Sequence, residues 1–233
     1  MSSPALLPYS QSSHCYRLAY PWAKVALQGL IRALAPQLRI EGTVNVPRRG
    51  GVILAPNHIA DADPPFVGLS APRPLWFMAK SELWEMQGFM QNLGPMISWM
   101  QSFPVDQSCA DREALRRAEE LLHARQALVV FPEGRIAHKE VLPLQPGVIM
   151  LAMRTGVPIV PVGIWGTQHV IPYGQIMPRP TLAPVAVVYG RAIYFDDLKD
   201  LPRRAARRGA TERLQTAFNE ATQRARILAQ DTV

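Results

Sequence analysis

Gly50-Gly51-Val52-Ile53-Leu54-Ala55-Pro56-Asn57-His58, followed after four intervening residues by Asp63-Pro64-Pro65, decides the fold class. The glycine pair introduces an unbroken apolar run, and a short run without polar alternation is the pattern of a strand covered on both faces. The run stops at Pro56. Asp63 then precedes two prolines, which reads as an N-cap followed by the first turn of a helix. A buried strand, a loop and a helix therefore follow one another, and His58 and Asp63 flank the loop between them.

Working outward, the same alternation recurs. Arg39-Ile40-Glu41-Gly42 is strand-like, and Trp76-Phe77-Met78-Ala79 is a further short strand candidate. Asp111 precedes an amphipathic stretch through Ala114, Leu115, Ala118, Leu121 and Leu122, a capped helix in pattern. Ala127-Leu128-Val129-Val130-Phe131 is a second buried strand, and it ends in Pro132-Glu133-Gly134-Arg135. Val148 to Arg154 reads as helical. Val157 to Ile164 and Val185 to Tyr189 supply a third and a fourth apolar strand. Strands alternating with helices predict an α/β domain with a largely parallel or mixed central sheet covered by helices. The stretch Leu83 to Met100 is crowded with Met, Trp, Leu and Phe, which suits a helical layer over the core or a greasy surface for acyl chains.

The ends carry appendages to this domain, which spans residues 38–195. Residues 1–37 comprise a loose start and a basic, Trp-bearing amphipathic helix from Tyr16 to Leu38. Such a helix either lies in the headgroup region of a membrane or packs on the core. Residues 196–233 comprise the basic run Arg203-Arg204-Ala205-Ala206-Arg207-Arg208, read as a solvated linker, and a packing helix from Thr211 to Gln230.

Composition narrows the partners. The 233 residues are 48% hydrophobic and only 18% charged, with net charge +7, which favours an anionic partner such as a membrane surface or a phosphorylated ligand. No aromatic interleaving or repeat supports nucleic acid. Cys15 and Cys109 have neither metal-ligand spacing nor disulfide density, and the start lacks a basic region followed by an apolar run. A cytoplasmic setting is expected. No apolar stretch approaches the ~20 residues of a bilayer-spanning helix, so membrane contact is expected to be peripheral.

His58 with Asp63 five positions on carries little information alone. Its placement at the carboxyl end of a buried strand, with Glu133-Gly134-Arg135 at the end of another, is where open α/β sheets bind ligands. The ordered set Asn57-His58-(four residues)-Asp63, Phe131-Pro132-Glu133-Gly134-Arg135 and Val157-Pro158-Ile159-Val160-Pro161-Val162 closely resembles the motifs of the glycerophospholipid acyltransferase superfamily, of the 1-acyl-glycerol-3-phosphate acyltransferase type. The likeness runs from about Leu38 to Tyr194.

The resemblance implies that His58 is a general base toward a lipid hydroxyl, with Asp63 fixing its tautomer, and that backbone amides after Asn57 stabilise the oxyanion. It also implies that Glu133, Gly134 and Arg135 bind the acceptor. Asn57, Asp106 and Gln107 would support the site. The donor would be acyl-CoA or acyl-carrier protein and the acceptor a lyso-lipid, with no metal or other cofactor. Two departures bear on the acceptor. The segment Ser102-Phe103-Pro104-Val105-Asp106 ends in Gln107 where the family commonly has Arg, and the typical Glu-Gly-Thr-Arg is shortened to Glu133-Gly134-Arg135, a form similar to members acting on lysophospholipids other than lysophosphatidic acid. A coenzyme-independent phospholipid transacylase and a noncatalytic lipid-binding protein are the alternatives. His14, His123 and His169 read as loop or helix-end residues, and His138 lies just beyond Arg135.

Overall fold

Seven strands form one sheet in the order β1-β7-β6-β2-β5-β3-β4 in the computed structural model, which describes residues 22, 24–84, 101–106, 111–137, 142–172, 175 and 177–231. The strands are β1 (Leu38–Glu41), β2 (Val52–Pro56), β3 (Trp76–Lys80), β4 (Ser102–Val105), β5 (Ala127–Val129), β6 (Ile159–Trp165) and β7 (Val185–Tyr189). Neighbours pair in parallel except β6 with β7, so β1 and β7 run against the other five. The fold is thus a single α/β domain on a mostly parallel, mixed sheet.

The helices are α1 (residues 24–34), α2 (Asp63–Ser70), α3 (Arg112–His123), α4 (Pro146–Thr155) and α5 (Arg203–Gln230). Alternation along β2 explains how they are distributed. Val52 and Leu54 point to the face that buries Ile31 of α1 and Phe66 and Val67 of α2. Ile53 and Ala55 point to the opposite face, where Ala118 and Leu122 of α3, Ile149 and Ala152 of α4 and Leu214 of α5 close the core. All five residues of β2 are buried, as an apolar run in a doubly covered sheet requires. Full burial of each such aliphatic side chain stabilises the fold by about 1.5–3 kcal/mol.

Two local expectations are revised and one holds. The arginine run at 203–208 is not a linker but the first turns of α5, which extends over 28 residues. Its charges are exposed while Ala206 and Ala210 are buried on the core side, so a one-sided helix start has the composition of a solvated connector. Asp63 is the first helical residue rather than the N-cap, which is Ala62, and α2 has no side-chain cap. Asp111 does cap α3, its Oδ1 accepting from the Ala114 N–H at 2.9 Å.

The N-terminal helix packs on the core with one face. Ile31 and the following Ala35 are buried, and Lys24 Nζ and Gln28 Nε2 donate to the carbonyls of Ala71 and Leu69 at the end of α2, each at 2.7 Å. Its other face leaves Val25 and Leu30 exposed, with Trp22 at 79% exposure just before it. No helix among the described residues is long and apolar enough to cross a membrane. The Met- and Trp-rich stretch from residue 85, the cysteines at 15 and 109, Gln107, and the histidines at 14 and 138 lie outside the described residues.

Candidate active site

The carboxyl ends of β2 and β5, adjacent in the sheet, bring the two motifs together. As β2 ends, the buried side chain of Asn57 clamps the chain to β6: its Oδ1 accepts from the Ile164 N–H at 2.6 Å, and its Nδ2 donates to the Ile164 carbonyl at 3.1 Å. That reciprocal pair reproduces a strand ladder with a side chain, and it fixes where the next residue emerges. The role is structural, because both ends of the amide are consumed.

His58 emerges there, its Nδ1 lying 2.9 Å from Asp63 Oδ2. The side chain of Asp63 is fully buried, that of His58 15% exposed. A buried carboxylate needs donors to stay ionised, and Asp63 has four. Oδ2 receives the N–H groups of Ile59 at 2.7 Å and Ala60 at 2.9 Å together with the His58 ring, and Oδ1 receives the hydroxyl of Thr167 at 2.5 Å. With Nδ1–H directed at the carboxylate, the Nε2 lone pair is left for chemistry.

The turn after β5 wraps the same histidine. Phe131 lies against the imidazole with ring centroids 4.2 Å apart. Glu133 Oε2 accepts from the His58 N–H at 2.6 Å, and the His58 carbonyl accepts from the Ala137 N–H at 2.7 Å. Gly134 turns the chain at φ 72°, a left-handed conformation that disfavours any side chain. Arg135 follows it and is exposed.

Burial pushes the Glu133 carboxyl above the usual carboxylate range, and the His58 N–H only partly opposes this. Its Oε2 points inward to the His58 amide, so Glu133 braces the loop that carries His58. Of the loop amides expected to meet the oxyanion, those of His58, Ile59 and Ala60 point at carboxylates instead. Asp106 ends β4, three strands from β2 and so roughly 14 Å away. Its N–H donates to the capping Asp111, which places it in the α3 cap rather than beside His58.

Thr167 and Phe131 are the site residues that spacing does not single out. Phe131 belongs to the quoted motif and needed only its ring direction. Thr167 is 104 residues from its partner, and nothing local marks it.

The comparisons agree with this geometry. The sequence pattern of the Acyltransferase family matches residues 37–165. A 1-acyl-sn-glycerol-3-phosphate acyltransferase from Limnanthes douglasii is 30% identical over 163 residues, covering 69% of this chain and 56% of that protein. A lyso-ornithine lipid O-acyltransferase from Pseudomonas aeruginosa is 29% identical over 154 residues, covering 64% of this chain and 55% of that protein. The chain thus spans just over half the length of these curated relatives. In fold it resembles the crystal structure of the 1-acyl-sn-glycerophosphate acyltransferase PlsC from Thermotoga maritima, with a TM-score of 0.62 and 24% identity, over 92% of this chain and 84% of that one. A family pattern that covers more than half of the residues places this chain in the Acyltransferase family.

Proposed function

We propose that this protein transfers a fatty acyl group from the thioester of acyl-CoA or acyl-carrier protein to the free hydroxyl of a lyso-lipid, working at a membrane surface. The observation that carries the reading is the His58–Asp63 pair, held in one buried network with the turn Phe131–Ala137.

A hydroxyl is a poor nucleophile until a base within hydrogen-bond reach removes its proton. Nε2 of His58 takes that proton as the oxygen bonds to the thioester carbonyl carbon. Asp63 stabilises the imidazolium that results, and it does so without becoming protonated itself. The tetrahedral intermediate collapses by breaking the carbon–sulfur bond, and the imidazolium returns its proton to the departing thiolate. The products are an ester and a free thiol, and the histidine is neutral again. The nucleophile is the acceptor's own hydroxyl, so the scheme contains no acyl-enzyme.

Arg135, exposed beside the site, is the cation placed to receive the acceptor's polar headgroup, and a guanidinium offers a planar fork for phosphate or carboxylate. The shortened Glu133-Gly134-Arg135 turn and the relative acting on a lyso-ornithine lipid support an acceptor class wider than lysophosphatidic acid.

The test is a mass-spectrometric screen of thioester donors against lyso-lipid acceptors, with the wild type and His58→Ala side by side. Acylation should fall by about 10²–10⁴-fold in the variant. Wild-type turnover by His58→Ala would refute the mechanism, and turnover with a diacyl phospholipid as sole donor would replace the thioester by a transacylase donor.

A further inference from the structure

Asp63 is held by two different parts of the molecule. Oδ2 takes its donors from the adjoining loop, at residues 58, 59 and 60, whereas Oδ1 is met by Thr167, its one partner among the described residues. Thr167 is fully buried at the start of the short turn that follows β6, and its own carbonyl accepts from the Val170 N–H at 2.9 Å and the Ile171 N–H at 3.2 Å. The backbone that carries the hydroxyl is therefore held by hydrogen bonds of its own. From this geometry we infer that Thr167 is a positioning residue for acyl transfer, locking the Asp63 carboxylate plane so that Oδ2 faces the imidazole. The inference rests on the His58 mechanism proposed above and extends it to a residue outside the two motifs.

The physical reason lies in the torsion. A carboxylate rotates about its Cβ–Cγ bond in a broad, roughly two-fold well, so the side chain alone does not fix which way its oxygens point. Three donors hold Oδ2 toward the loop, and the hydroxyl on the second oxygen braces the same plane from its other side. With the hydroxyl gone, Oδ1 is a buried acceptor without a partner. The carboxylate then turns to find one, and that movement withdraws the charge that orients His58 and stabilises its imidazolium. Thr167 is sealed from solvent, so removing its hydroxyl should leave substrate binding unaffected.

Thr167→Val keeps the shape and removes the hydroxyl, and Thr167→Ser keeps the hydroxyl and removes a methyl. Steady-state acylation is measured for both, beside His58→Ala and the wild type. Loss of one hydrogen bond to a charged group predicts that kcat of Thr167→Val falls roughly ten- to a hundredfold, while KM for the acceptor changes by less than about twofold. Thr167→Ser should retain wild-type kcat. In an Asp63→Ala background, Thr167→Val should cost nothing further, since the hydroxyl acts through that carboxylate. If Thr167→Val does not fold at the assay temperature, Thr167→Cys replaces it, and the weak thiol donor should give the same loss of kcat. Wild-type kcat in Thr167→Val, or equal losses in Thr167→Val and Thr167→Ser, would overturn the role while an inactive His58→Ala left the mechanism standing. An active His58→Ala would instead remove the mechanism on which the inference depends.

Discussion

Glu133 is buried against the N–H group of His58, and that makes the loop carrying His58 sensitive to proton concentration. Because its carboxyl titrates above the ordinary value in the folded chain, the folded state holds that proton more tightly than the unfolded one. The stabilisation is complete below the unfolded-state pKa and is lost as pH rises through the higher folded value. Glu133→Gln keeps an oxygen acceptor and carries no charge. Its stability relative to the wild type should therefore increase as urea unfolding is moved from about pH 5 to about pH 8. A difference that does not change with pH would mean that the carboxylate is stabilised by a partner. Glu133→Ala, which orphans the His58 N–H, should instead lose about 1–3 kcal/mol. At this scale His58 and Asp63 were legible in sequence because their partnership is local, five residues within one loop. The aim of Glu133 and the reach of Thr167 were not, since each depends on a partner brought close by the sheet.

Between elements, the tightest approach is that of α5 to β6. A Cβ built on Gly163 would lie 1.9 Å from the Ala221 carbonyl oxygen, and backbone cannot yield as a side-chain tip does. Gly163→Ala should thus destabilise the fold by about 1–3 kcal/mol or more, read as a lower urea midpoint. An unchanged midpoint would show that α5 slides without cost. At the other face α1 keeps Val25 and Leu30 exposed beyond Trp22, side chains suited to lipid headgroups. Replacing all three by Asp should weaken co-sedimentation with vesicles while leaving the melting temperature within a few degrees, and equal binding would reject this face as a lipid contact. The strands were legible as elements because apolar runs mark burial. Their directions were not, for hydropathy carries no sense of polarity, and the antiparallel turn between β6 and β7 emerges only when β1 and β7 pair at the edge.

For the molecule as a whole, a net charge of +7 should draw the protein to anionic bilayers. Binding to vesicles rich in phosphatidylserine should fall as ionic strength rises from about 0.05 to about 0.5 M, because exposed charges are screened over a few ångströms at the higher value. Salt-independent binding would assign the attraction to apolar contact alone. The charge is not gathered at the site. α5 begins beside the bridge of Ile193 to Ile159, at the amino end of β6, and runs past Gly163 to bring Arg226 over the ring of Trp165. Its arginines at 203, 204, 207 and 208 therefore lie at the end of the sheet opposite His58.

That course has a consequence for the chain's extremities. Arg39 on β1 donates to the carbonyls of Leu228 and Asp231, at 2.8 and 2.6 Å, so the finish of α5 is stitched to the first strand. Trimming the protein from its carboxyl side to a point before Leu228 would do more than shorten a helix. It would unlatch the outermost strand, and a protease that nibbles the tail would open the sheet from the edge where the chain first entered it.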